Sequence, residues 1–177
     1  QWAELREAQR QALGAPGVAM AVAADLSDSD DLRPKDYDEL AKRLFLAAEG
    51  VAYGKSNIIY TGPLYSSMKA HGEKMHVLFD DLNTGLIVKG GGELKGFEIA
   101  GADQRFLPAK AIIDGKKVYV WNDAIPHPMA VRYAWADNPA GANLFNRDIL
   151  FKDGLPPPRL KAGLKSGSGN NVIDYII

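Results

Sequence analysis

The 177 residues suffice for one domain or two small ones and could bury about 70% of the unfolded surface. A formal net charge of −1, a pI near 6.3 and no long Lys/Arg run exclude a general attraction to nucleic acid or anionic membrane, so neither is expected as a partner. The absence of cysteine excludes disulfides, thiolate metal sites and a cysteine nucleophile, and no cofactor is expected.

Trp2, Leu5, Ala8 and Ala12 or Leu13 recur at helical spacing among charged residues, so residues 2–13 read as a helix ended by Gly14 and the Ala15-Pro16-Gly17 step. Gly17–Ala24 is apolar without alternation, the pattern of a strand covered on both faces in a parallel sheet. An acidic stretch, Asp25–Asp31, follows it. Pro34 suits the first position of a helix in which Tyr37, Leu40, Ala41, Leu44, Ala48 and Val51 make the apolar face. Lys35, Asp38, Glu39, Lys42 and Arg43 fall mostly on the other side. A parallel strand needs parallel neighbours, and no later segment supplies one. Residues 1–53 are therefore expected to be the last helix–strand–helix of an α/β domain whose earlier strands lie outside this sequence.

After Gly54 the pattern changes to short β-prone segments separated by Gly, Asn and Asp. Strands are expected at Asn57–Thr61, Leu64–Ala70, Lys74–Phe79, Leu86–Val88, Gly96–Ala100, Ala109–Ile113, Lys117–Trp121 and Ala130–Ala136. Asp114-Gly115 signals a hairpin. The regular spacing indicates an all-β unit over residues 54–158, an antiparallel β-sandwich of jelly-roll type, in which 137–158 forms a packing arm. Residues 159–177 read as a linker, Lys165–Asn171, and an apolar tail, Val172–Ile177. No apolar run is long enough to span a membrane.

Several segments together resemble the C-terminal part of the sialate O-acetylesterase family, serine carbohydrate esterases with an SGNH-hydrolase domain. The marks are Trp2…Arg6-Glu7-Ala8-Gln9, Met20–Asp25, Leu32-Arg33-Pro34-Lys35, Arg43-Leu44, Gly62-Pro63-Leu64-Tyr65, Leu94-Lys95-Gly96-Phe97, Val131-Arg132-Tyr133-Ala134-Trp135 and Asn143-Leu144-Phe145-Asn146. The resemblance implies an α/β SGNH piece, flavodoxin-like with three layers, followed by the β-sandwich. It implies a periplasmic or secreted setting, an acetylated sugar such as sialic acid or a xylan-type glycan as substrate, and the N-terminal part of the SGNH domain as partner. It also implies a Ser-His-Asp mechanism whose serine lies upstream of the counterpart of Trp2. The family's histidine stands in an Asp-Ile-His-Pro step, matched here by Asp31-Leu32-Arg33-Pro34.

That difference bears on the chemistry. Attack on an acetyl ester needs a hydroxyl activated by a base, a carboxylate to orient that base and donors for the oxyanion. Histidine accepts a proton near neutral pH, whereas arginine stays charged and does not. Loss of the histidine costs a serine hydrolase roughly a millionfold in kcat, so this chain alone is expected to be inactive. Asp31 is the candidate orienting carboxylate and Arg33 marks the position of the base. Asp25, Asp28 and Asp30 are alternatives to Asp31, or with it form a solvated loop favoured by the helix dipole. A degenerate accessory or carbohydrate-binding module is the alternative function.

The remaining candidates have blander readings. His71, His76 and His127 lack a base's sequence context, and the five-residue spacing of the first two gives no zinc motif. Ser66-Ser67 has no Gly-x-Ser-x-Gly elbow, and Gly90-Gly91-Gly92 precedes no helix. Tyr53, Tyr60, Tyr65, Trp121, Tyr133 and Trp135 read as core before they read as a sugar-stacking platform.

Overall fold

The computed structural model describes residues 2–27, 33–80, 85–139, 141–147 and, as backbone, 160–163. Helix α1 (Trp2–Gln11) runs into a 3-10 turn at Ala12–Gly14, and the chain reverses where Gly17 sits at φ +76°. Helix α2 (Tyr37–Val51) starts three residues later than the Pro34 start expected from sequence. The reason is Asp36, whose carboxylate accepts a 2.8 Å hydrogen bond from the Glu39 N–H and so caps the first turn. Arg33, the residue before Pro34, has no side-chain acceptor with which to do this.

The strand expected at Gly17–Ala24 is not formed. Residues 18–23 belong to no sheet among the described residues, and Val18 is 40% exposed. An all-apolar strand is held by hydrogen bonds to neighbours, and every described sheet of this chain is antiparallel and built from later residues. Asn57–Thr61 likewise forms no strand; Ile58, Ile59 and Tyr60 instead pack on Leu46 of α2.

The rest is antiparallel sheet. One sheet has the order β1 (Leu64–His71), β2 (Lys74–Asp80), β7 (Lys117–Trp121), β6 (Lys110–Asp114). A second has the order β10 (Leu160–Gly163), β8 (Ala130–Tyr133), β4 (Phe97–Ala100), β5 (Leu107–Pro108). The third pairs β3 (Leu86–Val88) with β9 (Leu144–Asn146). The Asp114-Gly115 hairpin forms as expected, with Gly115 at φ +61° and Asp114 opposite Lys117. Strands β5, β9 and β10 lie where no strand is expected, β9 inside the presumed packing arm and β10 inside the presumed tail. Lys165–Asn171 and Val172–Ile177 fall outside the described residues.

Alternation along the strands makes the core. Met75, Val77, Val118 and Val120 of the first sheet are fully buried, as are Ile99 and Val131 of the second and Leu144 of β9, and all belong to one apolar cluster.

The helices bury faces rotated from those expected, with Leu40, Ala48 and Val51 of α2 half-buried. Arg43, Leu46 and Ala47 of α2 are buried, while Tyr37, Leu44 and Phe45 are 61%, 53% and 59% exposed. On α1 only Ala3 is buried, Arg6, Glu7 and Arg10 are partly covered, and Trp2 and Leu5 face outward. Seven of the nine large apolar side chains exposed among the described residues lie within residues 2–53.

Candidate functional site

The loop that carries the expected catalytic positions leaves the segment after Val22 and returns at Lys35. A turn bond from Leu26 N–H to the Ala23 carbonyl (3.0 Å) and a bond from Lys35 N–H to the Leu26 carbonyl (2.7 Å) close its base. Asp31 lies outside the described residues, as do Asp28 and Asp30. Arg33 is exposed, three residues ahead of the cap Asp36.

Asp25 is the one acidic-loop candidate whose contacts are described, and it is an anchor. Arg43 Nη1 and Nη2 donate to Asp25 Oδ1 and Oδ2 at 2.7 and 2.9 Å. The same guanidinium donates to the Val22 carbonyl at 2.6 Å and to Glu39 Oε1 at 3.1 Å. Burial pulls the Arg43 pKa down, but Asp25 and Glu39 outweigh this and hold it above its ordinary value. Lys89 Nζ stands 3.7 Å from Asp25 Oδ2 and 4.7 Å from the Phe145 ring, carrying the network to the sheets. Both Asp25 oxygens therefore face a fixed guanidinium, which ties helix, loop and sheet together and offers no proton acceptor.

Histidines do not gather at this loop. His71 and His76 lie on β1 and β2. His127 lines an open cleft of about 520 Å³ with Asp103, Arg105, Leu107 and Ile125. Among the described residues, no group of three or more His, Cys, Asp or Glu could hold a metal ion. Ser66 and Ser67 sit in β1 at a bulge, and Gly90, Gly91 and Gly92 form a turn at φ +77°, +71° and +77°. Of the six aromatics, Tyr133 is core, Tyr65 packs against the core and Tyr53 is 72% exposed. Trp121 lies half-buried on β7.

Side chains also join segments far apart in sequence, within the β-rich part and from it to α1. Asn143 Oδ1 accepts from Lys95 N–H at 2.8 Å, and its Nδ2 donates to the Glu93 carbonyl at 2.9 Å. The buried Tyr133 hydroxyl accepts from Leu144 N–H at 2.8 Å, and Asn146 Nδ2 donates to the Thr61 carbonyl at 2.9 Å. Arg6 Nη2 donates to the carbonyls of Ala136 (2.6 Å) and Asp137 (3.1 Å), and Asp137 Oδ1 accepts from Trp2 N–H at 3.0 Å. That last bond holds the Asp137 carboxyl below its usual range.

No family model matches the chain. It is 32% identical to the sialate O-acetylesterase of Mus musculus over 143 residues, 70% of this chain and 24% of that protein. It is 38% identical to the sialate O-acetylesterase of Rattus norvegicus over 71 residues, 37% of this chain and 13% of that protein. The crystal structure of a carbohydrate acetylesterase from Xanthomonas citri superposes on 90% of this chain, with a TM-score of 0.84 and 42% identity. The chain belongs to the sialate O-acetylesterase family. It spans about a quarter of the mouse relative, and 36% of the Xanthomonas citri chain.

Several marks that carry the resemblance to the sialate O-acetylesterase family are thus residues that join segments distant in sequence. Trp2 and Arg6 join α1 to the segment after β8, while Gly96, Tyr133, Asn143 and Asn146 join strands and loops that follow the helices. Arg43 is the member that helical periodicity misplaces, because a charged residue reads as solvent-facing. The signal was there in Glu39 one turn before it and in Leu46 and Ala47, which share its face.

Proposed function

We propose that this chain is the C-terminal portion of a carbohydrate O-acetylesterase. The observation that carries the reading is the likeness to the Xanthomonas citri acetylesterase over 90% of the chain at 42% identity. In this reading residues 1–53 complete an SGNH domain and the sheets form a β-sandwich beside it. The outward apolar faces of both helices support that arrangement. Trp2, Leu5, Tyr37, Leu44 and Phe45 cover a sheet supplied by the N-terminal part of the domain, and residues 18–23 become its next strand. The complete enzyme removes acetyl groups from sialic acid or another acetylated glycan with a Ser-His-Asp triad. Asp31 stands at the carboxylate position and Arg33 at the histidine position, so the chain contributes an acid and the frame, and no base.

The second reading, an inactive carbohydrate-binding accessory derived from such an esterase, is favoured by Arg33 itself.

Hydrolysis of p-nitrophenyl acetate tests both. The isolated chain is expected to give no turnover. Joined to the N-terminal portion of the Xanthomonas citri enzyme it remains inactive with Arg33 and gains activity with Arg33→His. Turnover by the isolated chain overturns both readings. A folded Arg33→His chimera without activity overturns the first.

A further inference from the structure

The outer face of the first sheet carries rings and amines that ester hydrolysis does not use. Because Met75, Val77, Val118 and Val120 point into the core, their neighbours His76, Tyr119 and Trp121 point outward. Register aligns Lys69, His76, Tyr119 and Ile112 in one row across four strands. His71 and Lys74 face each other beside that row, as do Lys110 and Trp121. The two imidazoles stack at 5.0 Å and 22°, Tyr119 meets His76 edge-on at 4.1 Å, and Lys74 Nζ lies 4.5 Å from the Trp121 ring centre. His71, Lys69, Lys74, Lys117 and Ile112 are exposed, while His76, Tyr119 and Trp121 are half-buried.

The charges on this face are uneven. Asp114 accepts from the Tyr119 hydroxyl at 3.2 Å, and Asp123 pairs with Lys110 at 2.6 Å. Glu73 and Asp80 lie at the two ends of β2. Among the described residues no carboxylate pairs with Lys69 or Lys74, which flank His76, whereas Lys117 stands opposite Asp114. The His76 pKa is lowered by burial and then by His71, Lys117, Lys74 and Lys69, so the potential at the centre of the ring cluster is positive.

We infer that this face is a binding platform for a carboxylated sugar. The carboxylate pairs with the Lys69 and Lys74 amines, which register sets diagonally across β1 and β2 on either side of His76, and the C–H face of the sugar lies against the imidazole and indole rings. Aromatic rings bury the apolar face of a ligand while leaving its polar edges to other partners, which suits a ring bearing hydroxyls on its rim. Nucleic acid fits less well, because its binding needs a basic track over many phosphates and this chain has a net charge of −1. The assignment of a sugar rests on the carbohydrate reading above, while the anion preference rests on the lysines alone. The platform lies on a different element from the loop holding Arg33, so it would retain a glycan without taking part in its chemistry.

Calorimetric titration of the whole chain with polysialic acid, polygalacturonic acid, neutral dextran, dextran sulfate and phosphatidylserine vesicles tests this. At least one carboxylated polymer is expected to bind and neutral dextran not to, and comparing the first two separates sialic from uronic acids. Trp121→Ala and the doubly exposed change Lys69→Glu with Lys74→Glu should each weaken binding at least tenfold. If Trp121→Ala lowers the thermal midpoint, the lysine pair, which packs on nothing in the core, decides alone. Absence of binding to both carboxylated polymers overturns the inference. So does equal binding of dextran sulfate or vesicles with no loss on Trp121→Ala, which marks plain electrostatic attraction. Since p-nitrophenyl acetate carries no sugar, its hydrolysis by the chimera succeeds or fails independently of this result.

Discussion

At Gly96 the backbone sits at φ +92°, and a Cβ there would lie 3.0 Å from both Cα and Cβ of Ala142 and 3.2 Å from the Tyr133 ring. Strain and overlap act together, because the carbonyl of Gly96 also accepts from Ala134 N–H at 2.9 Å and cannot move away freely. Gly96→Ala is expected to cost about 3 kcal/mol, read as a shift in the urea midpoint at unchanged slope. A loss under about 0.5 kcal/mol, the level of an ordinary surface change, would sink this account. His76 sets a second expectation. Its folded pKa lies below the ordinary 6.5, mainly through burial, so the unfolded chain takes up the proton first as the pH falls. The contribution to stability is whole above that value and declines as the pH drops through the folded value. Urea midpoints between pH 7.5 and 5.0 should fall less steeply in His76→Gln than in the parent, and parallel slopes would contradict the assignment. Neither residue discloses its role in sequence: glycine's φ and histidine's neighbours are set by strands that pair from afar.

Both helices were legible as helices because their apolar residues recur at 3.6-residue spacing and Gly14 and Pro34 punctuate them, though the cap at Asp36 was not read. What they pack against was not legible, since periodicity identifies a face without naming its partner. In α2 the buried side combines a polar network, Arg43 bridging Asp25 and Glu39, with Leu46 against Ile58, Ile59 and Tyr60, and Tyr37, Leu44 and Phe45 are left outward. Removing either member of such a buried pair typically costs 3 kcal/mol or more, so this orientation is held firmly in place. The outward side chains should therefore make the isolated chain adhesive. Leu44→Gln with Phe45→Lys is expected to reduce apolar-dye fluorescence and to move sedimentation toward the monomer while changing stability by less than about 0.5 kcal/mol. A large loss of thermal stability would show instead that these side chains are packed within the chain.

For the molecule as a whole, the strands with strict alternation, β2 and β7 above all, could be read directly from Met75, Val77, Val118 and Val120. Strands β5, β9 and β10 could not, because they are two to four residues long, include Pro108, or lie in stretches rich in Asn and Pro. Such segments become strands only through partners already in place. The assignment of Asp31 and Arg33 rests on family marks alone, whereas Asp25 of the same acidic stretch is spoken for by Arg43. The junction of α1 with the sheets has a further consequence, for the chain's manufacture. Arg6 grips Ala136 and Asp137 across sequence separations of 130 and 131 residues. At about 5–20 residues per second, a ribosome needs on the order of 7–26 s to make that interval. Throughout that interval the Arg6 side of the first helix has no partner from the sheets, so its docking is a late step in the making of the chain.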